Sequence, residues 1–125
     1  MPFAHTIDHG HGTMTTTASG NVTVAEIVQH LDDERLQGAL PYSELIDART
    51  ASVSISATEV RTVVDVLRGL GAMHRLGPTA VVVATDVGYG MLRMLEMLVE
   101  DVCVIRPFRD VPEAQRWLQS PTAAV

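Results

Sequence analysis

Two aspartates stand where the sequence predicts the carboxyl ends of neighbouring strands. Asp47 ends a short strand candidate over 44–47, and Asp86 follows the β-branched run 79–85, with Tyr89 close behind it. Open α/β sheets bind ligands in the crevice at that edge, where paired carboxylates can act as acid and base. Because no nucleophile or second base stands beside them, we favour helix capping for Asp86 and hydrogen bonds to loop amides for Asp47.

A second group of polar side chains, Asp8, His9 and His11, surrounds Gly10. Two imidazoles on one side of this segment could contribute to a divalent-metal site, but a site also needs a third or fourth ligand from elsewhere. We interpret the segment as the turn of a hairpin and predict no metal ligands. The single Cys103 lies in the apolar run 102–105 and is predicted to be a buried, inert thiol.

Several kinds of catalytic site are excluded by residue type. The chain has nine arginines and no lysine, which removes a phosphate-loop or Schiff-base lysine. It has no G-x-S-x-G motif. Gly88 and Gly90 begin like a dinucleotide-binding loop, but Arg93 stands where the third glycine belongs. We therefore expect a protein that is not an enzyme and has no cofactor.

Composition limits the class of protein and its partners. The 125 residues are enough for one domain over 1–125 and are 46% hydrophobic and 19% charged, with a net charge of −6. An acidic chain without a basic run is repelled by nucleic acid. No amino-terminal signal or membrane-spanning segment is evident, so we expect a cytoplasmic location, and the residue usage suggests a bacterial source.

The strongest functional signal is a methionine-rich helix over 90–100. Its apolar residues cover about 220° of the circumference, roughly twice what one sheet would bury. A second subunit in a homodimer, another protein partner, an apolar small molecule or a neighbouring helix would cover the remainder, and the methionines could equally fill gaps in the core. A membrane surface is the less favoured alternative, because the net charge is negative and no basic face accompanies the apolar one. The residues predicted to form this ligand-binding or interface surface are Met91, Leu92, Met94, Leu95, Met97 and Leu98.

The elements that position these residues alternate in type. A hairpin over 3–18 with a glycine turn precedes a helix that a T-x-x-E capping box opens at Thr23. A short strand over 44–47, a helix that Ser56 opens, a strand over 79–85, the methionine-rich helix, a strand over 102–105 and a last helix from Asp110 follow. The order ββαβαβαβα predicts an α/β domain with a mostly parallel sheet of four to five strands and about four helices.

This order of motifs resembles the STAS domain, in particular the SpoIIAA-like proteins related to anti-sigma-factor antagonists. The motifs that carry it are the hairpin with its T-x-x-E helix, the strand ending in Asp47, the strand 80–86 running into Tyr89, and the terminal segment 108–118. The resemblance implies a sheet covered by helices, and a role in protein switching or in association with hydrophobic ligands or membranes.

One departure from that family bears on phosphorylation. Its antagonists carry a phosphorylatable serine directly after the strand that ends in aspartate, whereas here Asp47 is followed by the segment 48–50 and the helix opens near Ser56. Ser54 and Ser56 are the residues that could take that role, with a helix cap the favoured interpretation of Ser56. The leading hypothesis is a binding module that uses the methionine-rich helix. A phosphorylation-dependent partner switch and a small enzyme built on Asp47 and Asp86 are the alternatives.

Overall fold

Five strands form one mixed sheet in the computed structural model, which describes residues 3–53 and 55–120. They are β1 (Phe3–Asp8), β2 (Thr13–Val22), β3 (Ser43–Val53), β4 (Thr79–Val82) and β5 (Ile105–Phe108). The strands lie side by side in chain order. β1 and β2 form the predicted antiparallel hairpin, and every later pair is parallel.

Each helix begins at a side-chain cap. The helices are α1 (Val24–Leu36), α2 (Ala57–Gly71), α3 (Asp86–Leu98) and α4 (Val111–Leu118). Both T/S-x-x-E segments form complete capping boxes, at Thr23 for α1 and at Ser56 for α2. The predicted α/β architecture, with its hairpin, mostly parallel sheet and four helices, is confirmed.

The helices divide between the two faces of the sheet. Because the strands follow one another in order, successive right-handed crossovers carry α1, α2 and α3 to the same face. Val81 and Val83 of the β4 region belong to the core on that face, whereas Ala80 and Val82 pack with α4 on the other. β4 is therefore buried on both sides, as its unbroken apolar run predicts.

The boundaries of two strands differ from the prediction. β3 does not stop at Asp47 but continues to Val53, because its second half pairs with the end of β2 beyond an irregularity at 17–19. β4 ends at Val82, since Thr85 is already the cap of α3.

The strand predicted over 102–105 is placed three residues too early: the observed strand is β5, which begins at Ile105. The amides of Val102 and Cys103 both donate to the carbonyl of Val99, at 2.8 and 2.9 Å, and so continue the turn that ends α3. These residues are apolar because they face the core, not because they belong to the sheet. β5 contains Pro107, which lacks an amide hydrogen, and it lies at the sheet edge where that lack is tolerated.

None of the helices within the described residues is both long enough and apolar enough to cross a membrane.

Candidate functional site

A cavity of about 180 Å³ lies between the sheet and the three helices on its α1–α3 face. We call it the apolar cavity. Its lining is almost wholly apolar and comes from β2, β3, β4, β5 and all three helices. Among the residues that line it are Ala18, Ala48, Val63, Leu67, Met91 and Leu92.

Side-chain size explains why the space is left open. Where β2 and β3 face the helices they present the small residues Ala18 and Ala48, both buried. α2 contributes the short side chains of Val60 and Val63 to the lining.

One side of the methionine-rich helix α3 lines the apolar cavity, and the other side is exposed to solvent. Met91, Leu92 and Leu95 are partly buried and line the apolar cavity. On the other side of the helix, Met94, Met97 and Leu98 are exposed at 38%, 59% and 45%. The wide apolar arc therefore faces two different environments.

A group of ionisable side chains lies at one margin of the cavity. We call His30 and Glu34 of α1 together with Glu44 of β3 the polar cluster. All three are buried and line the cavity. Nε2 of His30 lies 2.8 Å from Oε2 of Glu44 and 3.1 Å from Oε1 of Glu34. The hydroxyl of Thr16 on β2 donates to Oε2 of Glu44 at 2.6 Å.

One carboxylate oxygen in the polar cluster has no hydrogen bond. Oε1 of Glu34 is buried and unpaired, although it lies 3.1 Å from Nε2 of His30. Nε2 of His30 carries at most one hydrogen. When that hydrogen is donated to Oε2 of Glu44 at 2.8 Å, none is left to bond Glu34. Buried polar atoms without partners are rare in folded proteins, so this oxygen marks a site that can accept a further group.

Burial and mutual contact shift the pKa of every member of the polar cluster. Burial opposes a charge on His30, but its close contacts with the carboxyl groups of Glu34 and Glu44 outweigh it and raise the pKa of His30 to about 10. Burial raises the pKa of Glu34 to about 8. Burial also opposes ionisation of Glu44, yet its contacts with His30, Glu34 and Thr16 hold its pKa below the ordinary value. Burial thus disfavours ionisation of Glu34, whereas the contacts between His30 and Glu44 favour the charged forms of both groups.

The sequence interpretation missed this cluster, although a signal was present. His30 and Glu34 stand on the same face of α1 as Ile27 and Leu31, where the helical period calls for apolar residues. Polar residues at core positions usually have buried partners. The partner, Glu44, comes from the next strand and reaches them only through the fold.

Asp47 and Asp86, which were predicted to end neighbouring strands, lie within β3 and in the first turn of α3, and each has an arginine partner. Asp47 accepts two hydrogen bonds from the Arg49 guanidinium, at 2.9 and 2.8 Å, and one from the Arg49 amide at 3.2 Å. These bonds lower the pKa of Asp47. Oδ1 of Asp86 accepts a 2.6 Å bond from Arg109, whose guanidinium also lies 4.6 Å from the centre of the Tyr89 ring.

The expectation that Asp86 caps α3 is wrong. The cap is Thr85, whose hydroxyl accepts a 3.0 Å bond from the Gly88 amide, because the helix begins with Asp86 itself. Asp86 remains in the first turn, where a negative charge is favourable. Both aspartates thus have clear structural contacts that need no catalytic role.

The histidines of the hairpin turn have separate partners. Nδ1 of His11 lies 2.7 Å from Oδ2 of Asp8, and Nδ1 of His9 lies 2.8 Å from the hydroxyl of Tyr42. The segment is a turn, as predicted. Cys103 is buried and free, and burial raises its pKa to about 11, as expected of an inert thiol.

Of the two serines predicted as phosphorylation candidates, Ser56 is the cap of α2. Its hydroxyl accepts from the Glu59 amide at 3.2 Å, and the Glu59 carboxylate accepts from the Ser56 amide at 2.9 Å. Ser54 lies outside the described residues. Nothing in the part of the chain that the structure describes favours a phosphorylation switch.

Comparison with known proteins identifies the fold. Neither the protein-family models nor the curated proteins include a match to this chain. Among solved structures, it is similar to an uncharacterised protein of the DUF3478 family with a SpoIIAA-like fold from Shewanella loihica PV-4. The TM-score is 0.59, with 15% sequence identity over 93% of each chain. The chain therefore has a SpoIIAA-like fold, as its order of motifs predicts.

Proposed function

We propose that this SpoIIAA-like domain binds a small apolar molecule in the cavity between its sheet and helices α1–α3. The observation that carries the proposal is the cavity itself, about 180 Å³ in volume and lined by apolar side chains. An engineered cavity of roughly 150 Å³ with an apolar lining stays dry and binds benzene. A ligand would recover the dispersion contacts that the empty space forfeits.

The helix α3 supplies the adaptable part of the wall. Met91 is unbranched and polarisable and so adjusts to different shapes, and Leu92 and Leu95 lie beside it. Because all three are only partly buried, this wall can move without opening the rest of the core. Binding of this kind needs no catalytic residue and is compatible with the arginine-paired aspartates.

A calorimetric titration with benzene tests the proposal. Benzene suits a cavity of about 180 Å³ and should bind saturably to the wild-type protein. Val63→Phe places a larger side chain into the lining, and we expect it to weaken binding at least tenfold while the protein stays folded. Met97→Glu, on the exposed side of α3, is the matched control and should leave cavity binding unchanged. Equal binding by Val63→Phe, or loss of binding only in Met97→Glu, would refute the cavity as the site.

A second candidate function is self-association through the exposed side of α3. Met94, Met97 and Leu98 form an apolar patch there. The adjoining Arg93 and Glu96 neutralise each other at 2.9 Å, so two copies could meet at this patch despite the net charge of −6. Sedimentation should then give a dimer that Met97→Glu converts to a monomer. A wild-type monomer at high concentration would eliminate this candidate.

A further inference from the structure

The polar cluster has the composition and spacing of a metal site. We infer that His30, Glu34 and Glu44 bind one divalent transition-metal ion such as Zn²⁺ or Mn²⁺. The ligands are Nε2 of His30 and one carboxylate oxygen from each glutamate. This role does not depend on whether the apolar cavity holds a ligand.

The donor atoms already converge. One candidate ligand atom from each residue lies within 4.8 Å of the others. His30 Nε2 is 2.8 Å from Glu44 Oε2 and 3.1 Å from Glu34 Oε1. Two atoms that share an ion at about 2.1 Å lie roughly 3.0–3.5 Å apart in octahedral or tetrahedral geometry. The two distances from His30 Nε2 are therefore close to those expected between ligands of one ion, and the three side chains need to move little to admit it.

The unpaired oxygen of Glu34 points to a cation rather than to a closed ion-pair network. Its side chain is 8% exposed, and its Oε1 accepts no hydrogen bond. Buried carboxylates in folded proteins are paired or coordinate metals. An ion among the three side chains would satisfy this oxygen and would balance the two carboxylate charges with its own.

Neighbouring side chains hold the ligands in place. The Phe3 ring stacks on the His30 ring, with 4.7 Å between centroids and 15° between planes. His30 and Glu34 stand one turn apart on α1, and Thr16 holds Glu44 by its 2.6 Å hydrogen bond. Such outer contacts fix ligand orientation and tune affinity in metal sites.

The donor types select the class of ion. One imidazole and two carboxylates suit Zn²⁺, Mn²⁺ or Fe²⁺, whereas Ca²⁺ and Mg²⁺ prefer oxygen ligands alone. Three protein ligands leave at least one coordination position for water or another small ligand. Because the polar cluster lines the apolar cavity, that position would open toward the cavity.

The test uses the whole chain, stripped with EDTA and then dialysed free of chelator. Zn²⁺ and Mn²⁺ are titrated by calorimetry, and Co²⁺ is used as a probe whose visible absorption reports its coordination. All proteins carry His9→Ala and His11→Ala, which removes adventitious binding at the hairpin turn. Glu34→Gln keeps the shape of the side chain but removes a charged ligand, and Glu100→Gln, at an exposed position, is the control.

We expect the parent protein to bind one equivalent and Glu100→Gln to match it. Glu34→Gln and Glu44→Gln should each weaken binding by tenfold or more, with circular dichroism confirming that they fold. The inference is overturned if the parent takes up no ion. It is also overturned if the folded glutamine variants bind as tightly as the parent.

Discussion

Glu34 lies one helical turn from His30 and brings its Oε1 within 3.1 Å of the imidazole Nε2, yet it accepts no hydrogen bond from it. The ring N–H is instead donated to Glu44 of strand β3, which also accepts a hydrogen bond from the hydroxyl of Thr16. Glu34 is therefore a buried carboxyl group, and burying it costs least free energy when it is protonated or bound to a cation.

The metal-free protein should become less stable as the pH rises. The pKa of Glu34 is raised from 4.5 to about 8, so its contribution is complete below pH 4.5 and is lost as the pH rises through 8. The pKa of His30 is raised from 6.5 to about 10, so its contribution is complete below pH 6.5 and is lost as the pH rises through 10. Urea unfolding in EDTA should therefore give a lower free energy of unfolding at pH 8 than at pH 6.5.

Glu34→Gln provides the control for that experiment. The variant cannot ionise at this position, and its loss of stability over the same pH interval should be clearly smaller than that of the wild type. Glu44 and Thr16 face the same group from β3 and β2, the His5 ring lies 5.9 Å from His30, and all three are unchanged in the variant. Parallel pH profiles for the two proteins would show that Glu34 does not titrate as described.

Thr16→Val should destabilise the protein at neutral pH. The substitution keeps the shape of the side chain but removes the 2.6 Å hydrogen bond to a buried, ionised Glu44. Hydrogen bonds to charged groups contribute about 1.5–3 kcal/mol, and we expect a loss in that range from urea unfolding. Thr15→Val, at the exposed neighbouring position of β2, should change stability by less than about 0.5 kcal/mol. Equal effects of the two substitutions would contradict the assigned contact.

Ser56 should behave as a helix cap. Ser56→Ala removes the acceptor for the Glu59 amide and should cost about 1 kcal/mol in thermal or urea unfolding. Ser56→Asp supplies another capping oxygen at the start of the helix and should retain most of the stability. A neutral Ser56→Ala, or a strongly destabilised Ser56→Asp, would contradict the capping assignment.

Local signals in the sequence predicted much of the fold. The capping boxes at Thr23 and Ser56 located two helices because the required residue types stand at fixed offsets. The unbroken apolar run at β4 predicted a strand buried on both faces. The prediction over 102–105 failed because burial alone makes a turn apolar, and periodicity cannot distinguish such a turn from a short strand.

The candidate site was less predictable than the fold. The arc of α3 indicated excess apolar surface, but only the packed structure separates Leu92 and Leu95 in the cavity lining from Met97 on the surface. The polar cluster joins α1 to β3, and no local spacing predicts that Glu44 meets His30. Contacts between elements decide both features, so sequence patterns within one element could not reveal them.

The most direct test of ligand binding in the apolar cavity is a methyl NMR titration of the wild-type protein with toluene. We expect saturable shifts in the methyl groups of Val63 and Leu67, which line the cavity, and little change at Val82 and Leu45, which pack on the α4 side of the sheet. No saturable shift at the cavity residues, or shifts confined to the exposed Met97, would contradict ligand binding in the cavity.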